Sequence, residues 1–140
     1  MLFVCSMNAV RSPMAEGLLR YLSRNRIYVA SAGVRAGEVD GFVLEVMEEL
    51  GIDVSRHRPH TLEDLNDTSF DLIITLSPEA HHAALELTRT MAVDVIYWPT
   101  IDPTVADGAR AQRLDGYRAC RDGLFKRIKQ RFPPPGAPVV

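Results

Sequence analysis

The stretch LFVCSMNAVRSPMAE, residues 2–16, decides the fold. Leu2 to Cys5 is a short apolar run of the kind that fills a parallel strand buried on both faces. It leads through a polar loop, Ser6 to Val10, into Ser12-Pro13. That pair reads as a helix start, with Ser12 as N-cap and Pro13 at the first helical position. Ala15, Leu18, Leu19 and Leu22 then repeat at the spacing of one buried helix face. A strand passing through a tight loop into a helix is the first half of a βαβ unit.

The rest of the chain repeats this alternation. Ile27 to Ala30 reads as a second strand, and Gly37 to Gly41 as a loop. Val43, Val46, Met47 and Leu50 mark a helix closed by Gly51. Asp71 to Leu76 is the clearest strand, Ser77-Pro78 starts another helix, and Val93 to Trp98 is a fourth strand. Leu114, Tyr117, Leu124 and Ile128 carry a last helix. The order βαβαβαβα calls for an α/β fold: one three-layer α/β/α domain over residues 1–132 with a four-stranded parallel sheet. Ligands then bind at the carboxyl ends of the strands. The Pro-rich segment 133–140 reads as a flexible tail.

Composition bounds the partners. A chain of 140 residues suits a single domain, since domains most often hold roughly 100–150 residues. Its formal net charge of -2 supplies no basic field for nucleic acid or an anionic membrane, so any phosphate recognition must be local. Two cysteines, Cys5 and Cys120, make no disulfide framework, and the opening Met-Leu-Phe-Val-Cys is too short for a signal peptide. No apolar run approaches the roughly 20 residues that cross a bilayer. A reducing cytoplasm is the expected setting, with no membrane role.

Against that background the placement of Cys5 is informative. It ends the first strand, and the loop after it runs to a helix N-terminus, where unpaired N–H groups and the helix dipole favour an anion. The spacing Cys5-x5-Arg11 lets Ser6, Met7, Asn8, Ala9 and Val10 curl with their N–H groups inward, while the Arg11 guanidinium closes the ring with parallel hydrogen bonds. A phosphate or similar oxyanion fits such a cradle. Cys5 at its floor is a candidate nucleophile, because helix N-termini and cations favour the reactive thiolate. Ser12 can donate to that sulfur, and Asn8 tolerates the left-handed backbone of a tight loop. No Gly-Lys-Ser/Thr ending follows, which disfavours a nucleotide-binding P-loop. Asp102, in WPTIDPT, follows the fourth strand and is the candidate general acid and base; Asp107 is the fallback.

VCSMNAVRSPMAE resembles the active-site loop of the low-molecular-weight protein tyrosine phosphatases and of the arsenate reductases that share their fold. Ser31-Ala32-Gly33, GIDVSRHRP at Gly51 to Pro59, DLIITLS at Asp71 to Ser77 and Asp102-Pro103 extend the resemblance over most of the chain. It implies double displacement through a phosphocysteine: Cys5 attacks, Arg11 and the loop hold the oxyanion, and Asp102 acts as acid and then base, with no metal or cofactor. It also implies that Asn8, Ser12, Ser31 and His57 hold the loop in shape. The expected substrate is a phosphorylated protein or a small phosphomonoester.

Departures from the family pattern leave alternatives open. Val10 stands where the loop's second cysteine is usual, Met7 replaces a glycine, and Thr104-Val105 stand where phosphatases of the family often carry tyrosines. The main rival is arsenate reduction. Reductases that relay through thioredoxin keep a resolving cysteine where this chain has Ser77, so a reductase here would need an external thiol such as glutathione. A non-catalytic oxyanion- or phosphoprotein-binding module is the third reading. Cys120 reads as a packed residue; His81, His82, Tyr97 and Trp98 make no metal or aromatic site, because adjacent histidines point to different sides of a helix with no carboxylate at ligand spacing; and the basic run RACRDGLFKRIKQR reads as a solvated helix face.

Overall fold

The computed structural model describes residues 1–65, 70–105 and 107–133. Strands β1 (Leu2–Cys5), β2 (Ala30–Gly33), β3 (Leu72–Thr75) and β4 (Asp94–Tyr97) form one parallel sheet in the order β2-β1-β3-β4. Helices α1 (Arg11–Ser23), α2 (Gly41–Glu48), α3 (Pro78–Leu87) and α4 (Arg110–Arg131) alternate with them. The side-chain alternation along β1 builds two cores. Phe3 and Cys5 pack with Met14 and Leu18 of α1, Val46 of α2 and Tyr117 of α4, whereas Leu2 and Val4 pack with Ala80 and Ala84 of α3. The result is the expected three-layer α/β/α arrangement. The connection from β1 to β2 leaves on one side of β1, and the connection to β3 crosses to the other. The topological switch point therefore falls at the carboxyl end of β1, at Cys5.

Three expectations need correction. Helix α1 begins at Arg11 with Val10 as its N-cap, and Val10 supplies no side-chain bond; Ser12 lies inside the first turn, its hydroxyl turned to the loop instead. The second strand is Ala30–Gly33, three residues beyond the apolar run at 27–30. After α1 the chain turns through Arg24 and Asn25, both at positive φ, so Val29 reaches the core before pairing with β1 begins at Leu2↔Ala30. The strand itself is Ala-Ser-Ala-Gly because it passes behind the loop: a Cβ on Gly33 would lie 2.6 Å from the Asn8 nitrogen. Finally, the basic run on α4 is not simply a solvated face. Buried Arg121 donates to the Val46 carbonyl and to Glu49 (both 2.7 Å), and Arg118 pairs with Glu49 at 2.7 Å, tying α4 to the end of α2.

Helix α3 starts as expected, with Ser77 accepting from the Ala80 N–H and Pro78 in the first turn. Helix α2 has Asp40 as N-cap, accepting from the Phe42 N–H, and ends before Gly51, whose φ of 74° suits the turn that closes it. The proposed tail lies outside the described residues from 134 onward.

Candidate active site

Cys5 is buried at the floor of the loop, and its sulfur is met by two groups. The Asn8 N–H points at Sγ from 3.2 Å, and the Ser12 hydroxyl lies 2.9 Å away. A thiolate can only accept, so in that state Ser12 donates its single proton to sulfur. Asn8 is the keystone: fully buried, at φ 49°, it donates from Nδ2 to Ser12 (2.7 Å) and Ser31 (2.9 Å). Its Oδ1 accepts from the His60 backbone N–H at 2.8 Å, which fixes the orientation of the amide. His57 Nε2, 3.0 Å from the same oxygen, must therefore carry the proton, leaving Nδ1 toward Glu16 at 3.6 Å. The segment carrying both histidines is itself anchored to β2, since Gly33 N donates to the His60 carbonyl and Leu62 N to the Gly33 carbonyl.

Arg11 is nearly buried above this floor. Its guanidinium donates to the Thr100 carbonyl at 3.0 Å and stands 3.9 Å from the half-buried carboxylate of Asp102. Asp102 accepts from the N–H and hydroxyl of Thr104 (2.9 and 2.7 Å), so it is a turn residue as well as a neighbour of the cradle. Cys5, Arg11 and Asp102, the first and last of them 97 residues apart in sequence, share one cavity of about 420 Å³ with Met7, Ala9 and Thr104. Asp107 is exposed and outside that wall.

The opposite wall was not legible. Gly37, Glu38, Val39 and Asp40 line the cavity, and Asp40 accepts a 2.6 Å hydrogen bond from the Tyr117 hydroxyl. Burial, reinforced by the Asp40 carboxylate, holds that phenol neutral well above the usual tyrosine range. The signal available in the sequence was Asp40-Gly41 as a helix start, which places Asp40 but not the wall. Met7 has no positive φ, so the loop does not need the usual glycine there; its half-exposed side chain lines the mouth beside Gly37. Cys120 lines an adjoining groove with Asp102 and Thr100, within electrostatic reach of Arg11 and Cys5, and burial pushes its thiol up to about 12. His81 stacks on Tyr97 and meets Thr75, and Trp98 packs against Phe3.

The model of low molecular weight phosphotyrosine protein phosphatases matches residues 1–132. The chain belongs to that family. Among its curated relatives is an arsenate reductase of Halalkalibacterium halodurans, 33% identical over 91% of this chain and 90% of that protein. Another is a glutaredoxin arsenate reductase of Synechocystis, 32% identical over 91% and 92%. Among solved structures, a low molecular weight protein tyrosine phosphatase from T. tengcongensis superposes with a TM-score of 0.77 at 28% identity, covering 93% of this chain and 95% of that one. An arsenate reductase in the phosphate-binding state gives 0.72 at 28%, covering 93% of both. Proteins named for two chemistries, phosphatase and arsenate reductase, are thus similar to this chain over most of its length. No helix among the described residues is long and apolar enough to cross a membrane.

Proposed function

We propose that this chain is an arsenate reductase that takes its electrons from an external thiol, the reading held second on sequence grounds. The observation that carries it is the company of the chain: curated relatives above 30% identity over nine-tenths of its length are named arsenate reductases. Cys5 as thiolate attacks arsenic(V) of the bound oxyanion, whose oxygens lie against the loop N–H groups and Arg11. Asp102 protonates the departing hydroxide, which leaves as water. An external thiolate then attacks the Cys5 sulfur; the As–S bond breaks, its electron pair reduces arsenic to arsenic(III), and a mixed disulfide remains on Cys5. A second thiol displaces Cys5 and leaves as the external disulfide. Two thiols are oxidised for each arsenate reduced.

The thiol inventory supports an outside donor. Ser77, at the head of α3, has its hydroxyl 3.0 Å from Ser6 of the loop, so the position nearest to the cradle from β3 holds an alcohol. Cys120, with its thiol pushed up to about 12, offers a negligible thiolate fraction at neutral pH. The glutaredoxin named for the Synechocystis relative is the class of donor we assign.

Phosphomonoester hydrolysis is the second reading, favoured by Asp102 beside Arg11 on the cavity wall. There Cys5 attacks phosphorus, Asp102 protonates the leaving oxygen, and it then activates the water that cleaves the phosphocysteine. One pair of assays separates the two. Arsenate should drive NADPH oxidation through glutathione, glutaredoxin and glutathione reductase, and Cys5→Ser should abolish it. A folded wild-type protein that consumes no thiol with arsenate but releases nitrophenol from p-nitrophenyl phosphate would overturn the reductase reading in favour of the phosphatase.

A further inference from the structure

A cavity of about 700 Å³, larger than the one that holds Cys5, lies elsewhere among the described residues. It opens behind the loop, between α1 and the segment running from Gly51 to His60. Its volume lies within the roughly 300–1,000 Å³ of small-ligand sites. The chain carries a net charge of -2, yet this cavity gathers Arg20, Arg56 and Arg58 with His57 and His60, against two carboxylates. Both carboxylates are engaged: Glu16 with Arg20 at 3.1 Å and with His57, and Asp53 with the Ser55 N–H at 2.8 Å. Arg56 and Arg58 make no hydrogen bond or ion pair within 4 Å among the described residues; Arg56 lies within electrostatic reach of Asp53, and the N–H donors of both guanidinium groups remain open to an incoming anion.

Two tyrosines also line the cavity. Tyr28 stacks on Phe70, ring centroids 5.9 Å apart, yet remains 65% exposed, and Tyr21 is 56% exposed. Guanidinium groups and an open aromatic ring in one enclosure together select a ligand with an anionic end and a ring. His57 forms part of the same wall, and its Nε2–H reaches Asn8, whose backbone N–H reaches the Cys5 sulfur. A group placed against His57 is thus two hydrogen bonds from the nucleophile.

We propose that this cavity is a second binding site, taking a small organic phosphate whose anionic group meets Arg56 and Arg58 and whose ring meets Tyr28, and that its occupancy is felt at Cys5 through His57 and Asn8. The inference stands apart from the choice between reductase and phosphatase, because its first test reads binding alone. Titrating adenosine diphosphate into the full-length protein by calorimetry should give binding that survives Arg11→Ala. It should weaken at least about tenfold in Arg56→Ala/Arg58→Ala and several-fold in Tyr28→Ala, with circular dichroism unchanged in each. In the turnover assay the same ligand should change kcat without raising KM, and the double arginine variant should keep the basal rate and lose the effect. Absence of binding would overturn the proposal. So would binding lost in Arg11→Ala but kept in the double variant, or inhibition competitive with the oxyanion, since each places the ligand in the Cys5 cradle.

Discussion

Asn8→Ala tests the central structural argument. The substitution deletes four hydrogen bonds: two donated by Nδ2 to Ser12 and Ser31, and two accepted by Oδ1 from His57 and the His60 N–H. At about 0.5–1.5 kcal/mol net for each bond, the loss is about 2–6 kcal/mol. Alanine at φ 49° adds roughly 1 kcal/mol for left-handed backbone that Asn tolerates better. His57 and the His60 segment line an open cavity and can turn to water, so the lower half of the summed range applies, about 3–5 kcal/mol. Urea unfolding followed by the fluorescence of the single tryptophan, Trp98, which packs on Phe3, reads this directly. With a slope of about 1–3 kcal/mol per molar urea, the midpoint should fall by at least about 1 M. Turnover should fall in parallel even where the variant is folded, because the Asn8 N–H no longer has a fixed aim at sulfur. Asn8→Gly loses the same four side-chain bonds but adopts φ 49° without strain, so it should be roughly 1 kcal/mol less destabilised than Asn8→Ala. A midpoint shift under about 0.3 M with full turnover in Asn8→Ala would refute the keystone role.

Three further outcomes follow from the same contacts. Arg11→Lys keeps the charge and loses the planar fork, so kcat/KM should drop about 10²–10³-fold in the steady-state assay with circular dichroism unchanged. Cys120→Ser should leave turnover within about twofold, and Cys120 should resist iodoacetamide at pH 8 by peptide mass analysis, because burial pushes its thiol up to about 12. Glu49 is held down at about 2 by hydrogen bonds from Arg118 and then Arg121, against an ordinary value near 4.5. Because the folded-state value is depressed, its contribution is complete above about pH 4.5 and is lost as pH falls toward 2. The melting temperature of the wild type should therefore decline over that window more steeply than that of Glu49→Gln. The gap should shrink in high salt, since the pair is solvent-exposed.

Local signals carried most of the fold. Strand Leu72–Thr75 lies inside the expected 71–76, β4 inside 93–98, and Ser77-Pro78 does start α3 as a capped helix. The same Ser-Pro signal misled at residues 12 and 13, because a hydroxyl that could cap a helix was bound to Cys5 and Asn8 instead. Propensity rules do not weigh a competing partner in the loop just ahead of the helix. β2 was displaced for a related reason: its small residues reflect the loop packed over Gly33, so the apolar run ahead of it was the louder signal. Cys5, Arg11 and Asp102 could be proposed from motif and spacing, and they do meet at one cavity. The wall at 37–40 and the Tyr117–Asp40 bond join parts of the chain 77 residues apart, and no local pattern encodes such a meeting.

The choice between chemistries turns on what stands near the cradle rather than on the cradle itself. Loop N–H groups, a guanidinium and an acid serve tetrahedral phosphate and arsenate alike, since both present oxygens to the same donors. What differs is the second step. Hydrolysis needs only a water held near Asp102, whose carboxylate is half-open to solvent on the cavity wall. Reduction needs a sulfur that can reach Cys5 from behind its bond to arsenic. Ser77 occupies the approach from β3 with an oxygen, Val10 occupies the loop with an alkyl group, and Cys120 lies in a separate groove as a neutral thiol. On the reductase reading the attacking thiol must therefore come from a donor outside this chain, since none of Ser77, Val10 and Cys120 supplies a reactive sulfur to the cradle.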